Sequence, residues 1–73
     1  RPHSAMAHFQ LGCCLWRAND RDGAIAHLRE AVRIQPGYVA AHGGLGAVYM
    51  EAGDPLAAVA HLRAAARHEP NLP

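Results

Sequence analysis

Along residues 5–18 apolar positions recur at steps of three and four, the spacing of one face of an α-helix. Two such faces can be drawn there. His8, Leu11, Gly12 and Leu15 form one, read as packing on a partner helix, and Met6, Phe9, Cys13 and Trp16 form a second. The same pattern, punctuated by turn residues, predicts four helices at about 5–18, 21–34, 39–52 and 55–68. Ser4 is placed to cap the first, its oxygen accepting from free backbone N–H groups of the opening turn. Asn19 and Gly53 suit the left-handed conformation that closes a helix. Asp20 caps the second helix, which Pro36 and Gly37 stop. Asp54 is an N-cap followed by Pro55 at the first helical position. Turns this short force the two helices of each pair antiparallel.

The chain also falls on itself when shifted by 34 residues. Pro2, Pro36 and Pro70 align, as do Ala7 with Ala41, His8 with His42, Leu11 with Leu45 and Gly12 with Gly46. Ala18 meets Ala52, Asp20 meets Asp54, Ala24 meets Ala58, and His27-Leu28-Arg29 recurs as His61-Leu62-Arg63. Residues 5–38 and 39–72 therefore read as two units. Residues 1–4 read as the tail of a preceding unit, and Asn71-Leu72-Pro73 as the opening of a following one.

With His8, Leu11-Gly12, Leu15, Ala24, Leu28 and Pro36 in one unit, and His42, Leu45-Gly46, Tyr49, Ala58, Leu62 and Pro70 in the next, the chain resembles the tetratricopeptide repeat family. The resemblance covers nearly the whole sequence. It implies an all-α fold, an α-solenoid of two antiparallel helix-turn-helix hairpins forming a fragment of a right-handed superhelix. It also implies that partners are recruited on the inner surface lined by the first helix of each unit. Histidine replaces the family's first-helix Trp, which loosens the packing expected there. Physical reasons stand beside the pattern. Gly12 and Gly46 lie mid-helix, where glycine costs about 1 kcal/mol relative to alanine and is tolerated if another helix must come close. Ala24 and Ala58 are small for the same reason, and Leu11, Leu15 and Leu28 are the larger knobs.

Composition narrows the function. At 73 residues with 51% apolar content, the chain has no room for a cleft enclosed by a sizeable core. A net charge of +1 gives no global pull toward nucleic acid or an anionic membrane, and no apolar stretch approaches the ~20 residues of a membrane span. All basic residues are Arg. Arg29, Arg33, Arg63 and Arg67 recur on the second helices without interleaved aromatics, which reads as a solvated face with Glu30 and Glu69 nearby and not as a phosphate ridge. Cys13 and Cys14 are adjacent, point apart on a helix, and read as reduced, buried or half-buried thiols. No two histidines have the three- or four-residue spacing of a helical metal pair, so His8, His42, His27 and His61 read as packing or surface residues, and no metal or other cofactor is expected. Ser4 is the only serine, threonine is absent, and no nucleophile–base–orienter set is found, so no catalytic residue is assigned and the chain is not read as an enzyme. Nothing here fixes a compartment.

What remains is a surface. The stripe Met6, Phe9, Cys13 and Trp16 has a matching stripe of Ala40, Gly43, Ala47 and Met50 in the second unit. Phe9, Trp16 and Met50 are expected to line an apolar groove over Gly43, Gly44 and Ala47, with Met6 and Cys13 beside them and Arg17 and Glu51 at its edge. The expected function is a protein-interaction scaffold holding a peptide or a segment of a partner protein. The alternatives are an accessory domain of a larger transferase or peptidase, and a self-associating repeat stacking through open ends. The stripe of the first helix packing on a missing repeat or a second copy is the competing reading of Met6, Phe9 and Trp16. Family members that clamp a peptide carboxylate use Lys and Asn on this face. Phe9, Cys13, Gly43 and Ala47 stand at those places here, so that activity is not implied.

Overall fold

The structure, a computed structural model, describes residues 4–67. Four helices follow one another: α1 (Ala5–Arg17), α2 (Arg21–Ile34), α3 (Val39–Glu51) and α4 (Pro55–Arg67). The expected last residues of α1 and α3, Ala18 and Ala52, serve as C-caps instead. His68, expected to close α4, and Glu69 lie outside the described residues, as do most of residues 1–4.

Local chemistry sets the helix ends. The Ala7 N–H donates to Ser4 Oγ at 3.3 Å, the Gly23 N–H to Asp20 Oδ1 at 3.0 Å and the Ala57 N–H to Asp54 Oδ1 at 3.2 Å. Tyr38 opens α3 without a side-chain cap. At the other ends the chain turns left-handed, with φ of 67° at Asn19 and 81° at Gly53. Each reversal is tied by a pair of backbone bonds. The Asn19 N–H reaches Trp16 O at 2.9 Å and the Asp20 N–H reaches Leu15 O at 2.8 Å; Gly53 and Asp54 repeat this on Met50 O and Tyr49 O.

α1 packs on α2 and α3 on α4, α2 packs on α3, and α1 touches α3. The core is small. Leu28, Leu45 and Val48 are fully buried, and Phe9, Trp16, Ile25, Val32 and Tyr49 pack around them. Ala24, Ala31, Ala41 and Ala58 have no exposed surface, so the helices meet through small side chains. A Cβ at Gly12 would lie 2.8 Å from Leu28 Cγ, and one at Gly46 would lie 2.7 Å from Leu62 Cγ. Both mid-helix glycines are therefore places where the second helix of a pair drops a leucine onto the first.

Two expectations are corrected. Leu11, expected to pack on its partner helix, is 45% exposed, whereas its counterpart Leu45 is fully buried. The difference is position: α3 is flanked by both α2 and α4, while among the described helices α1 packs on α2 and only touches α3. Cys14, expected to be at least half buried, is exposed for the same reason, while Cys13 is half buried. Phe9 and Trp16, expected to line a groove or to pack on another repeat, are partly buried against the core of this one.

Candidate functional site

The α1 and α3 helices lie side by side on one surface, and their helical phase decides what that surface shows. On α3, Ala41, Leu45 and Val48 turn into the core, and Gly46 meets α4 through Leu62. Ala40, Gly43, Ala47 and Met50 are left on the opposite side, Ala40 and Met50 exposed and the other two half covered. A Cβ placed at Gly43 would have no atom of another residue within 4 Å, so this glycine opens space that the fold does not use. Gly44, one residue on, faces inward: its Cβ position lies 3.5 Å from Leu28 Cδ1 and 4.0 Å from Phe9 Cε1. Gly43 thus faces open space, and Gly44 lies in the joint with Leu28.

Met6 and Met50 are 60% and 57% exposed, both flexible thioether side chains. Phe9 leans onto Tyr38, with ring centroids 5.3 Å apart and planes tilted by 41°. Cys13 is half buried and Arg17 exposed at the end of α1. Trp16 and Glu51, both expected at the groove, are bonded to each other: the indole N–H donates to Glu51 Oε1 at 2.9 Å. Arg21 Nη1 donates to the Glu51 carbonyl oxygen at 2.8 Å, so the end of α3 is held from both α1 and α2. Of the ten residues expected at the groove, Met6, Arg17, Met50 and Glu51 are exposed, and Phe9, Cys13, Trp16, Gly43, Gly44 and Ala47 are half buried.

Tyr38 was not foreseen. It stands between the two expected stripes, and its only signal in the sequence is an aromatic residue just ahead of a helix. The histidine contacts were also missed. His8 Nδ1 and His27 Nδ1 lie 3.1 Å apart with stacked rings, and His42 Nδ1 and His61 Nδ1 lie 3.3 Å apart in the same way. Each pair joins the two helices of one hairpin.

The second helices carry the arginines. Arg33 is bonded to Glu30 through Nε and Nη2, with Nε 3.0 Å from both carboxylate oxygens. The hollow over Ala26, Arg29, Glu30 and Arg33, about 390 Å³, is lined by both signs of charge. Among the described residues no three His, Cys, Asp or Glu side chains gather as a metal cluster, and no helix is long and apolar enough to cross a membrane.

Comparison with curated proteins finds no match to the chain. A family model for the tetratricopeptide repeat matches residues 15–73. That span takes in the end of α1 and all of α2, α3 and α4, the helices whose small-residue contacts build the joint. The chain belongs to the tetratricopeptide repeat family.

Proposed function

We propose that this chain is a protein-interaction module that receives an apolar segment of a partner protein or peptide along the α1–α3 surface. Repeats of this family generally serve as protein-interaction modules and are typically non-catalytic. The observation that carries the specific reading is Gly43. A mid-helix glycine costs about 1 kcal/mol relative to alanine, and the other two on the same helix are in contact with neighbours. A Cβ at Gly43 would meet nothing within 4 Å, and the same helix carries exposed Met50 two turns on. A bulky apolar side chain of a partner fits there, with the methionines adjusting around it.

Filling that volume tests the reading. Peptides are selected on the wild-type chain from a random library, and their affinity is measured for Gly43→Leu and for Leu56→Ser, a change on the far helix at a residue 83% exposed. The expected result is binding lost in the first and kept in the second, with the melting temperature of Gly43→Leu no lower than that of the wild type. Unaltered affinity in Gly43→Leu, or amide shifts on binding that map to α2 and α4, defeats the proposal.

A second reading has its own observation. Leu28 is fully buried with Gly44 across from it, while its counterpart Leu62 is 46% exposed; Leu45 is fully buried, while its counterpart Leu11 is 45% exposed. The α4 surface at Val59 and Leu62 and the α1 surface at Ala7, Leu11 and Cys14 thus repeat the two sides of the α2–α3 joint. Each is shaped for another repeat, in the same protein or in a second copy. Sedimentation of wild type against Leu62→Lys tests the second-copy case: an association that the substitution leaves intact would exclude it.

A further inference from the structure

The joint between the hairpins has one place where bulk is traded between neighbouring helices. Gly44 on α3 carries no side chain, and a Cβ there would lie 3.5 Å from Leu28 Cδ1 and Cδ2 on α2 and 4.0 Å from Phe9 Cε1 on α1. A large residue on one helix thus stands opposite a glycine on the next. For a second copy laid on α4 in the same register, the 34-residue period puts Leu62 in the place of Leu28, Gly43 in the place of Phe9, and that copy's Gln10 in the place of Gly44. The sizes are inverted. Gly43 leaves open the volume that a phenylalanine side chain takes in the first joint, with nothing within 4 Å of its Cβ position, and exposed Gln10 brings a side chain where Gly44 has none. A Cβ 3.5 Å from a leucine methyl is an ordinary contact. The atoms of Gln10 beyond it have room because residue 43 is glycine.

The rest of the two faces agrees. Leu11 and Cys14, both exposed, correspond to Leu45 and Val48, which are fully buried where α2 covers α3. Val59 and Leu62, 43% and 46% exposed, correspond to Ile25 and Leu28, which pack in the core. We propose that a second copy of this chain seats its α1 on α4 head to tail, its Gln10 side chain entering the volume at Gly43, so that self-assembly and capture of a partner segment exclude each other. The inference rests on the α1–α3 groove being the partner site and adds how that site is closed. The Gln10 methylenes fill the space, while the amide, costly to bury without a hydrogen bond, keeps to the open surface. Each contact leaves a free α1 at one end and a free α4 at the other, so copies add in an open series and not as a closed pair.

The test is sedimentation of the full chain up to about 1 mM, because a joint of one helix face lies at the small, weak end of protein interfaces. Wild type is expected to form a series that grows with concentration, with alkylation of Cys14 slowing as it grows. Gly43→Phe bars Gln10 and should weaken association about tenfold or more. Adding Gln10→Gly rebuilds the arrangement of the first joint, a phenylalanine opposite a glycine, and should bring association back. Residue 43 has open space and residue 10 is exposed in the single chain, so both variants fold. The peptide selected on dilute wild type should disperse the series. A wild type that stays single overturns the proposal and leaves the α4 face to a following unit of the same protein. Gly43→Phe associating like wild type, or the double variant associating as weakly as Gly43→Phe, overturns it as well. The groove is read separately in dilute solution. Peptide binding lost there in Gly43→Leu, with no dispersal of the series by the peptide, keeps the partner site and refutes the competition. Peptide binding that Gly43→Leu leaves intact removes the partner site, and the competition with it.

Discussion

Leu28 stands so close to Gly12 that a Cβ on the glycine would lie 2.8 Å from the leucine Cγ and 3.2 Å from the Ala24 carbonyl oxygen. The helix would gain about 1 kcal/mol from alanine at this position, but overpacking a filled joint costs about 1–3 kcal/mol, and a backbone oxygen cannot rotate away. Gly12→Ala is therefore expected to lower stability by about 1 kcal/mol in urea unfolding. Gly43→Ala, with nothing in reach, is expected to raise it by up to about 1 kcal/mol. The same sign for both would remove the distinction between a filled joint and open space.

Leu28 and Leu62 occupy equivalent places and differ in cover, one fully buried and the other 46% exposed. Leu28→Ala should cost about 2–5 kcal/mol, the range for emptying a closed core site. Leu62→Ala should cost about 1 kcal/mol, in line with a side chain that hides roughly half its surface. Chemical denaturation of the two variants reads the ratio directly, and similar losses would mean that Leu62 is covered in solution by something else, as self-stacking requires.

Trp16 divides its ring from its N–H. Trp16→Phe keeps the partly buried ring and removes the exposed bond to Glu51, so a loss of about 0.5–1 kcal/mol is expected. Trp16→Ala also empties a place beside the core and should cost about 2 kcal/mol or more. Loss of partner binding in Trp16→Ala would consequently report unfolding as well as contact, and thermal melts of the two variants separate these.

The left-handed turns give a matched pair. Gly53, with φ of 81°, should lose about 1 kcal/mol on replacement by Ala, because a Cβ is strained there. Asn19, at φ of 67°, already bears that strain in part, so Asn19→Gly should be neutral or stabilising by some tenths of a kcal/mol. Opposite effects on melting temperature at these equivalent turns are the outcome to look for.

The helices were legible in the sequence because their ends are decided by near neighbours. Ser4, Asp20 and Asp54 each bond a backbone N–H three residues on, and Asn19 and Gly53 reverse the chain without outside help. The pairing of helices followed from the short turns and the recurring small residues. Burial was harder. Leu11 and Leu45 have the same residue type and register, yet only Leu45 lies between two packed helices, so its cover comes from place in the array. The histidine pairs bridge 19 residues across a hairpin, and spacing along one helix, the signal for side-chain pairs within an element, is blind to them. Trp16 and Glu51 meet over 35 residues, which is why two groove candidates turn out to hold each other.

Leu28 is anchored in the first hairpin yet lies against Gly12 on one side and Gly44 on the other. Neither hairpin can leave the other without wetting this side chain, so the four helices lose order together and not in halves. A ligand resting only on α3 would for that reason slow amide hydrogen exchange along α1 as well, across a surface it never touches.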